Sequence, residues 1–228
     1  MNAPDNTHSG TIRIAIVDDH PLFRQGLKQV VQEGRRFTLV GEASTGREAI
    51  DVIAATQPEL AVLDINLPDM TGLDVAAALR EQAAGTRCIV LTMLKDEQAF
   101  NRAMNLGICG YVLKENAAAE IVSCLNAVAT GGSYVSPSLT GFLLRRREKA
   151  VDLAGRQPGL NDLTTAERRI LKRIAEKKST KEIAQELAVS PRTIETHRAN
   201  ISTKLSLKGS NSLLQFALEH RDALADLA

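Results

Sequence analysis

The sequence lacks any apolar stretch long enough to cross a bilayer, although 44% of its 228 residues are hydrophobic. A membrane-spanning helix needs about 20 consecutive apolar residues, so we expect no transmembrane segment and no membrane partner. Residues 1–10 also lack the basic start and apolar centre of a secretory signal peptide. We therefore expect a cytoplasmic protein in which residues 1–10 form a disordered polar tail.

Cysteine is scarce, and its spacing suits neither a disulfide framework nor a thiolate metal site. Cys88, Cys109 and Cys124 are odd in number, lie far apart and form no C-x-x-C pair. This pattern is typical of a reducing compartment, which agrees with a cytoplasmic location. We interpret all three as buried structural thiols.

The net charge is only +1, but the two halves of the chain differ in sign. Residues 1–133 contain 11 lysines and arginines against 16 aspartates and glutamates, whereas residues 134–228 contain 17 against 11. The acidic half suits cations, and the basic half suits nucleic acid. The asymmetry indicates two parts with different partners.

Residues 11–133 alternate short β-branched runs with longer amphipathic stretches. The predicted strands cover residues 11–17, 37–42, 59–63, 87–92 and 109–113. The predicted helices cover residues 21–34, 46–55, 72–83, 95–106 and 117–130. Successive strand–helix units predict an α/β fold, a doubly wound five-stranded parallel sheet with helices on both faces.

Polar residues follow the apolar runs of four predicted strands at their C-terminal ends. They are Asp18 and Asp19 after the first strand, Asp64 after the third, Thr92 at the end of the fourth and Lys114 after the fifth. Ligands bind at this edge of an open parallel sheet. We therefore expect carboxylates, a hydroxyl and an ammonium group to converge on one small pocket.

The carboxylates of this pocket suit a hard divalent cation, Mg²⁺. The predicted metal ligands are Asp18, Asp19, Asp64 and the backbone carbonyl of Asn66. Asp64 is also the best candidate for a nucleophile that accepts a phosphoryl group held in line by a metal and a cation.

Other polar side chains near this pocket receive different assignments. Lys114 would pair with the phosphoryl group, and the Thr92 hydroxyl would hydrogen-bond to it. His20 precedes Pro21 at the start of the first predicted helix. We therefore expect the His20 side chain to point away from the carboxylates and not to bind a metal.

Residues 134–160 change character, because prolines and glycines interrupt any long period. Part of this stretch, residues 139–151, could form a short helix, and the rest is typical of a linker. Residues 161–228 are predicted to form a second, smaller domain that is all-helical. Its predicted helix caps are Thr164 with Glu167 in a capping box, Thr180, and Ser190 followed by Pro191.

Within this second domain, residues 180–201 have helix-turn-helix spacing. The predicted inward-facing side chains are Ile183, Ala184, Leu187, Ile194, Ile201 and Leu205, and Val189 would fill the turn. The outward-facing side chains of the second helix would be Arg192, Glu195, Thr196, Arg198 and Ala199. Such a helix commonly enters the major groove of DNA, although a helical bundle that binds protein has similar spacing.

The segments VDDH at 17–20, LDINLPDMTG at 63–72, LTM at 91–93 and YVLK at 111–114 resemble the receiver domain of two-component response regulators. This resemblance covers residues 11–133 and implies that a sensor histidine kinase phosphorylates Asp64. It also implies a slow, Mg²⁺-dependent loss of the phosphate. In receivers, the residue matching Thr92 moves toward the phosphate and the aromatic matching Tyr111 swings inward. Tyr111 is equally compatible with a static, half-buried aromatic.

Residues 161–225 resemble the C-terminal DNA-binding domain of LuxR/NarL-type regulators. The matching segments are Leu163-Thr164-x-x-Glu167, Glu182-Ile183-Ala184, Val189-Ser190-x-x-Thr193-Ile194-x-x-His197 and Lys204-Leu205. The resemblance implies phosphate contacts by Arg192, Arg198 and Lys204. It implies base-edge contacts by Glu195 and Thr196. The implied partner is double-stranded DNA, with a pair of half-sites bound by a homodimer.

Together the two resemblances indicate a NarL-type response regulator in which phosphorylation of Asp64 shifts dimerisation and operator binding. Only slow self-phosphorylation from small donors and self-dephosphorylation are expected, so the chain is not predicted to be an enzyme. One alternative is a constitutive DNA-binding protein whose receiver serves only dimerisation. Another is a Mg²⁺-dependent phosphohydrolase, but Asn66 cannot act as the general acid that such an enzyme needs.

Overall fold

The computed structural model describes residues 11–33, 36–82, 85–209 and 211–226. The tail predicted for residues 1–10 lies outside the described residues. The chain divides into two compact units, Met1–Thr140 and Gly141–Ala228. No helix in the described part of the chain combines the length and the apolar character needed to cross a membrane.

The first unit contains a parallel sheet in the order β2-β1-β3-β4-β5-β6. Its strands are β1 (Ile12–Val17), β2 (Phe37–Ala43), β3 (Leu60–Asp64), β4 (Arg87–Thr92), β5 (Gly110–Leu113) and β6 (Tyr134–Val135). This architecture confirms the predicted parallel α/β fold. The chain adds β2 on one side of β1 and β3 on the other, so the winding reverses there. Such a reversal opens a crevice at the carboxyl ends of the two strands.

The helices that connect or follow these strands lie close to their predicted positions. They are α1 (Pro21–Glu33), α2 (Gly46–Thr56), α3 (Gly72–Gln82), α4 (Glu97–Asn105) and α5 (Ala117–Ala129). Glycine is required where α3 begins, because a Cβ on Gly72 would lie 2.0 Å from the carbonyl oxygen of Asp64. The start of α3 therefore packs directly against the end of β3.

The sixth strand corrects the prediction of five. β6 pairs in parallel with β5 over Gly110 and Tyr111. A two-residue strand carries no alternation that a sequence pattern could reveal, so the pattern assigns it to a linker. The rest of that predicted linker contains turns of 3₁₀ helix at Pro137–Leu139 and Pro158–Leu160 and a long helix, α6 (Thr140–Arg156).

The strands supply much of the core of the first unit. Every residue of β3 and β5 is buried, as are the last four residues of β1 and the last five of β4. Continuous burial agrees with a parallel sheet that is covered by helices. Cys88 and Cys124 are buried as predicted, whereas Cys109 is only half-buried.

The second unit is helical. After α6 its helices are α7 (Thr165–Ala175), α8 (Thr180–Glu186), α9 (Pro191–Lys204), α10 (Ser212–Glu219) and α11 (Arg221–Asp226). Its core includes the predicted inward-facing side chains Ile183, Ala184, Ile194, Ile201 and Leu205, with Leu187 partly buried. The sequence pattern did not predict α11.

Local capping explains where the helices of the second unit begin. The predicted capping box of Thr164 and Glu167 and the predicted cap Ser190 are confirmed. The cap of α8 is Ser179 and not Thr180, because Ser179 and Glu182 have the spacing that lets each bind the other's backbone N–H.

The prediction that Val189 fills the turn between α8 and α9 is wrong. The side chain of Val189 is 41% exposed. The turn is closed instead by its backbone, since the Val189 N–H donates to the Ala184 carbonyl at 3.0 Å and Ala188 adopts a φ of 52°.

Candidate functional site

The side chains of Asp18, Asp64 and Lys114 meet at the C-terminal edge of the sheet. Lys114 Nζ lies 2.7 Å from Asp18 Oδ2 and 2.6 Å from Asp64 Oδ2. All three residues are buried, with between 1% and 8% of their surface exposed. The ends of β1, β3 and β5 therefore place two carboxylates around one ammonium group.

The charge of Asp64 is set by opposing influences. Burial raises the pKa of the Asp64 carboxyl above its ordinary value, because ionisation is unfavourable in a poorly solvated site. The hydrogen bond and positive charge of Lys114 act in the opposite direction. The backbone N–H of Asn66 donates to Asp64 Oδ1 at 3.2 Å. One carboxylate oxygen of Asp64 thus faces the ammonium group, and the other faces the loop after β3.

His20 lies beside the carboxylates, so the expectation that it points away is wrong. Its backbone N–H donates to Asp18 Oδ1 at 2.9 Å. Its Nδ1 lies 2.7 Å from Asp19 Oδ1 and 3.9 Å from Asp64 Oδ2. An aspartate that binds the N–H two residues later forms a tight local turn. This turn holds the ring at the cluster, whereas Pro21 fixes only the start of α1.

The cluster has the donor set and the open lone pairs of a cation site. Asp18, Asp19, His20 and Asp64 each offer a ligand atom, and these atoms all lie within 4.8 Å of one another. Among the residues that the structure describes, no group donates a hydrogen bond to the buried oxygens Asp18 Oδ2 and Asp19 Oδ1. Asp18 Oδ2 lies 2.7 Å from the Lys114 ammonium, and Asp19 Oδ1 lies 2.7 Å from His20 Nδ1. Open carboxylate oxygens suit a hard divalent cation, so the residues present fit Mg²⁺.

The structure places Thr92 and Asn66 at the same edge of the sheet. Thr92 is fully buried at the end of β4, and its hydroxyl accepts a hydrogen bond from the Leu94 N–H at 3.1 Å. Since Leu91 of β4 pairs with Asp64 of β3, Thr92 lies one residue further along this edge. Asn66 lies in the loop after β3, where it forms a bridge with Thr71.

Two aromatic rings accompany Lys114 and the strand that carries it. The Lys114 ammonium lies 4.7 Å from the centroid of the Phe23 ring, a contact that the sequence pattern did not reveal. Tyr111 is 1% exposed and packs edge-on against Phe100, with ring centroids 5.2 Å apart. Burial raises the pKa of Tyr111. The tyrosine therefore occupies an inward position and is not half-buried.

In the second unit, α9 presents a polar outer face. Arg192, Glu195, Thr196 and Ala199 are exposed, and Arg198 is half-buried. The Thr196 hydroxyl donates to the Arg192 carbonyl at 3.0 Å, which leaves its methyl group for apolar contact. This face combines two guanidinium groups, a carboxylate and a methyl group on one exposed helix.

Lys204, predicted as a phosphate contact, holds two partners inside the second unit. Its Nζ donates to Glu167 Oε2 at 2.7 Å and to the Asp162 carbonyl at 3.0 Å. Glu167 is 3% exposed and also caps α7 through Thr164. These contacts join the C-terminal end of α9 to the N-terminal end of α7, and they favour an internal role for Lys204.

Glu167→Gln should lower the free energy of unfolding of the second unit by about 2 kcal/mol, the usual value of a hydrogen bond to a charged group. Glutamine can still cap α7, so the loss reflects the ion pair with Lys204. Chemical denaturation at neutral pH measures the effect. Glu182→Gln is the matched control, because Glu182 occupies the same capping position on α8 but is exposed. An equal loss in both variants would contradict the importance of the Lys204 pair.

The same ion pair gives a pH dependence of defined sign. Burial alone would raise the pKa of Glu167, but the hydrogen bonds from Lys204 and Thr164 lower it below its ordinary value of 4.5. A depressed pKa in the folded state contributes stability above the ordinary value. That contribution disappears as the pH falls through the depressed value. The difference between the wild type and Glu167→Gln should therefore shrink in acid.

Comparisons with known proteins agree with both parts of this geometry. Residues 14–126 match the family described as the response regulator receiver domain. Residues 161–217 match the family described as bacterial regulatory proteins, luxR family. The chain thus combines a receiver with a LuxR-type DNA-binding domain.

Two relatives match most of the chain, and a solved structure matches part of it. The chain is 31% identical over 214 residues to the transcriptional regulatory protein MctR of Rhizobium johnstonii, covering 94% of this chain and 96% of MctR. It is 33% identical over 195 residues to the nitrate/nitrite response regulator protein NarL of Escherichia coli, covering 86% and 89%. A crystal structure of a LuxR-family two-component response regulator from Aurantimonas superposes with a TM-score of 0.57 at 29% identity, covering 60% of this chain and 99% of that one.

These similarities define a DNA-binding transcriptional regulator and not an enzyme. The chain belongs to the LuxR family of two-component response regulators.

Proposed function

We propose that a sensor histidine kinase phosphorylates Asp64 and that this modification shifts dimerisation and operator binding. The observation that carries the proposal is the position of Lys114 Nζ, buried between Asp18 and Asp64 at the edge of the sheet. In the transfer, a carboxylate oxygen of Asp64 forms a bond to phosphorus while the bond from phosphorus to the imidazole nitrogen of the kinase breaks. The imidazole keeps the electron pair and takes up a proton from solvent.

The open oxygens of the acidic cluster support Mg²⁺ as the cofactor. Its proposed ligands are Asp18, Asp19, Asp64 and the backbone carbonyl of Asn66, and His20 Nδ1 lies close enough to add a nitrogen donor. When bound, the metal would neutralise charge on the incoming phosphoryl group. Two carboxylates beside the nucleophile would otherwise repel that group.

Lys114 and Thr92 are proposed to detect the phosphoryl group once it is on Asp64. Lys114 already donates to Asp64 Oδ2, so it can pair with a new phosphoryl oxygen at the same place. The Thr92 hydroxyl accepts from Leu94 through a lone pair, and its own hydrogen stays available as a donor. Phosphorylation adds about −1.5 to −2 charges, which both groups can stabilise.

The response is proposed to be a shift between two states of the protein. Nearly complete switching needs about 5.5 kcal/mol of differential stabilisation. A few charge-assisted hydrogen bonds, at about 1.5–3 kcal/mol each, approach this value. Phosphoryl contacts by Lys114 and Thr92 can therefore supply much of the switching energy, and the dimer surface would supply the rest.

Helix α9 is proposed to enter the major groove of DNA. The exposed Arg192 and the half-buried Arg198 would contact phosphates, whereas Glu195 can accept from the cytosine amino group and the Thr196 methyl can pack on thymine. Lys204 uses two of its three N–H donors within the second unit, so its predicted phosphate contact would use the third. A homodimer would place two such helices on paired half-sites.

We expect acetyl phosphate with Mg²⁺ to raise the affinity of the full chain for DNA. The probe is a duplex selected from a random-sequence pool by the phosphorylated chain, and the measurement is a binding titration with and without the donor, accompanied by size estimates. Equal affinity in both conditions would favour a constitutive DNA-binding protein. Repeated release of phosphate from a small ester would favour a phosphohydrolase.

A further inference from the structure

Ser136 links three elements of the first unit. Its backbone N–H donates to the Tyr111 carbonyl at 2.9 Å, and its hydroxyl accepts from the Leu113 N–H at 3.2 Å. The same hydroxyl donates to Glu120 Oε2 of α5. Ser136 is completely buried. One small residue thus forms hydrogen bonds with two backbone groups on the outer edge of β5 and with an ionisable side chain on α5.

The backbone groups that Ser136 binds belong to β5, the strand that ends just before Lys114. Tyr111 is the buried aromatic, and Leu113 immediately precedes Lys114, whose ammonium contacts Asp18 and Asp64. A movement of Lys114 toward a phosphoryl group would therefore act on the Leu113 N–H, one residue away. That N–H is held by a side chain and not by the ladder of β6.

On its other side, Ser136 is the residue through which the chain leaves the sheet. It follows β6 directly, and the 3₁₀ turn at Pro137–Leu139 leads into α6. The Leu139 N–H donates to the Ser136 carbonyl at 2.8 Å, so the turn is tied to the same residue. Glu120 also interacts with the hydroxyl of Tyr134 on β6. The exit of the chain is therefore fixed to β5 and α5 by a compact set of contacts.

We infer that Ser136 is a positioning residue that transmits the state of Lys114 to the segment leading into α6. The Ser136 hydroxyl accepts from Leu113 and donates to Glu120, so displacing it would break two hydrogen bonds in a buried site. A displacement of β5 would then move the Ser136 backbone and α5 with it, so the displacement is not confined to the sheet. This inference rests on the proposed phosphorylation of Asp64 and adds the physical connection between that site and the rest of the chain.

Ser136→Ala in the full chain tests this connection. Phosphoryl uptake from acetyl phosphate should match that of the wild type, because Ser136 does not touch Asp64. The gain in DNA affinity on phosphorylation should fall by about 2- to 30-fold, the range reported for residues that couple two sites. If Ser136 served only stability, the substitution would lower phosphoryl uptake and the gain in DNA affinity together. A positioning role predicts that only the gain in DNA affinity falls. The probe is the selected duplex described above.

Two further variants sharpen the test. Ser138→Ala makes the same substitution on an exposed residue of the same turn and should leave the gain unchanged. Glu120→Ala removes the acceptor of the Ser136 hydroxyl and should reduce the gain as much as Ser136→Ala does. If the two residues act through one contact, the double variant should lose no more than either single variant.

The outcomes separate this inference from the proposed function. A wild-type chain that takes up phosphate without any change in DNA affinity would overturn both. A wild-type response that Ser136→Ala retains in full would overturn only the role of Ser136. Loss of uptake in Ser136→Ala would also reject it, since the serine would then act on the pocket itself.

Discussion

Asp64→Asn should abolish phosphoryl uptake completely. The amide has no anionic oxygen to attack phosphorus, while its size and shape match those of the carboxylate. Because burial already raises the pKa of Asp64, a neutral side chain should be tolerated by the fold. Mass spectrometry of the intact chain after incubation with acetyl phosphate and Mg²⁺ measures the modification.

The control for this substitution is Asp51→Asn, which changes an exposed aspartate on α2. Asp51→Asn should be modified as fully as the wild type. Stoichiometric labelling of Asp64→Asn would show that another residue is the acceptor and would remove the basis for the proposed switch.

Lys114→Ala should have two large effects. It leaves Asp18 and Asp64 buried without their cation, and breaking a buried pair in this way costs about 3–5 kcal/mol of stability. It should also permit some phosphoryl uptake while uncoupling it from DNA affinity, because Thr92 alone would remain to respond to the phosphate. Thermal unfolding and the DNA titration report the two effects separately.

Added Mg²⁺ should restore part of the stability lost in Lys114→Ala, since a cation bound by the open carboxylates would replace the missing charge. Lys95→Ala is the matched control: Lys95 pairs with Glu115 at 2.8 Å, but its side chain is 51% exposed, so little stability should be lost. A phosphorylated Lys114→Ala chain that gains DNA affinity as the wild type does would refute the coupling role of Lys114.

The sheet was predictable because four of the five predicted apolar runs stop at a polar residue. The run before Asp64, for example, contains only side chains that the structure buries, and the run ends where the edge of the sheet begins. β6 was not predictable in the same way, since its position depends on pairing with β5 and not on its own pattern. Ser136, which looks like an ordinary turn residue in the sequence, acquires its importance only from that pairing.

The candidate site shows the same division between local and long-range information. The spacing of the sequence placed Asp18, Asp64 and Lys114 at one edge of the sheet. The hydrogen bond from the His20 N–H to Asp18, which holds His20 beside them, is visible only in the structure. In the second unit, the period of α9 separated the buried from the exposed residues except for Arg198, which is half-buried. It could not show that Lys204 pairs with Glu167, which lies 37 residues earlier in the chain.

The short sixth strand determines where the receiver could be excised as an independent polypeptide. A fragment that stops at residue 133 would keep every helix and strand predicted for the receiver, but it would remove β6 and leave the outer edge of β5 unpaired. The Leu113 N–H would lose its hydrogen-bond acceptor, and the Glu120 side chain would be exposed to solvent. A fragment extended through Leu139 would retain these bonds. Limited proteolysis of the folded protein should therefore not cleave the chain between residue 133 and Leu139.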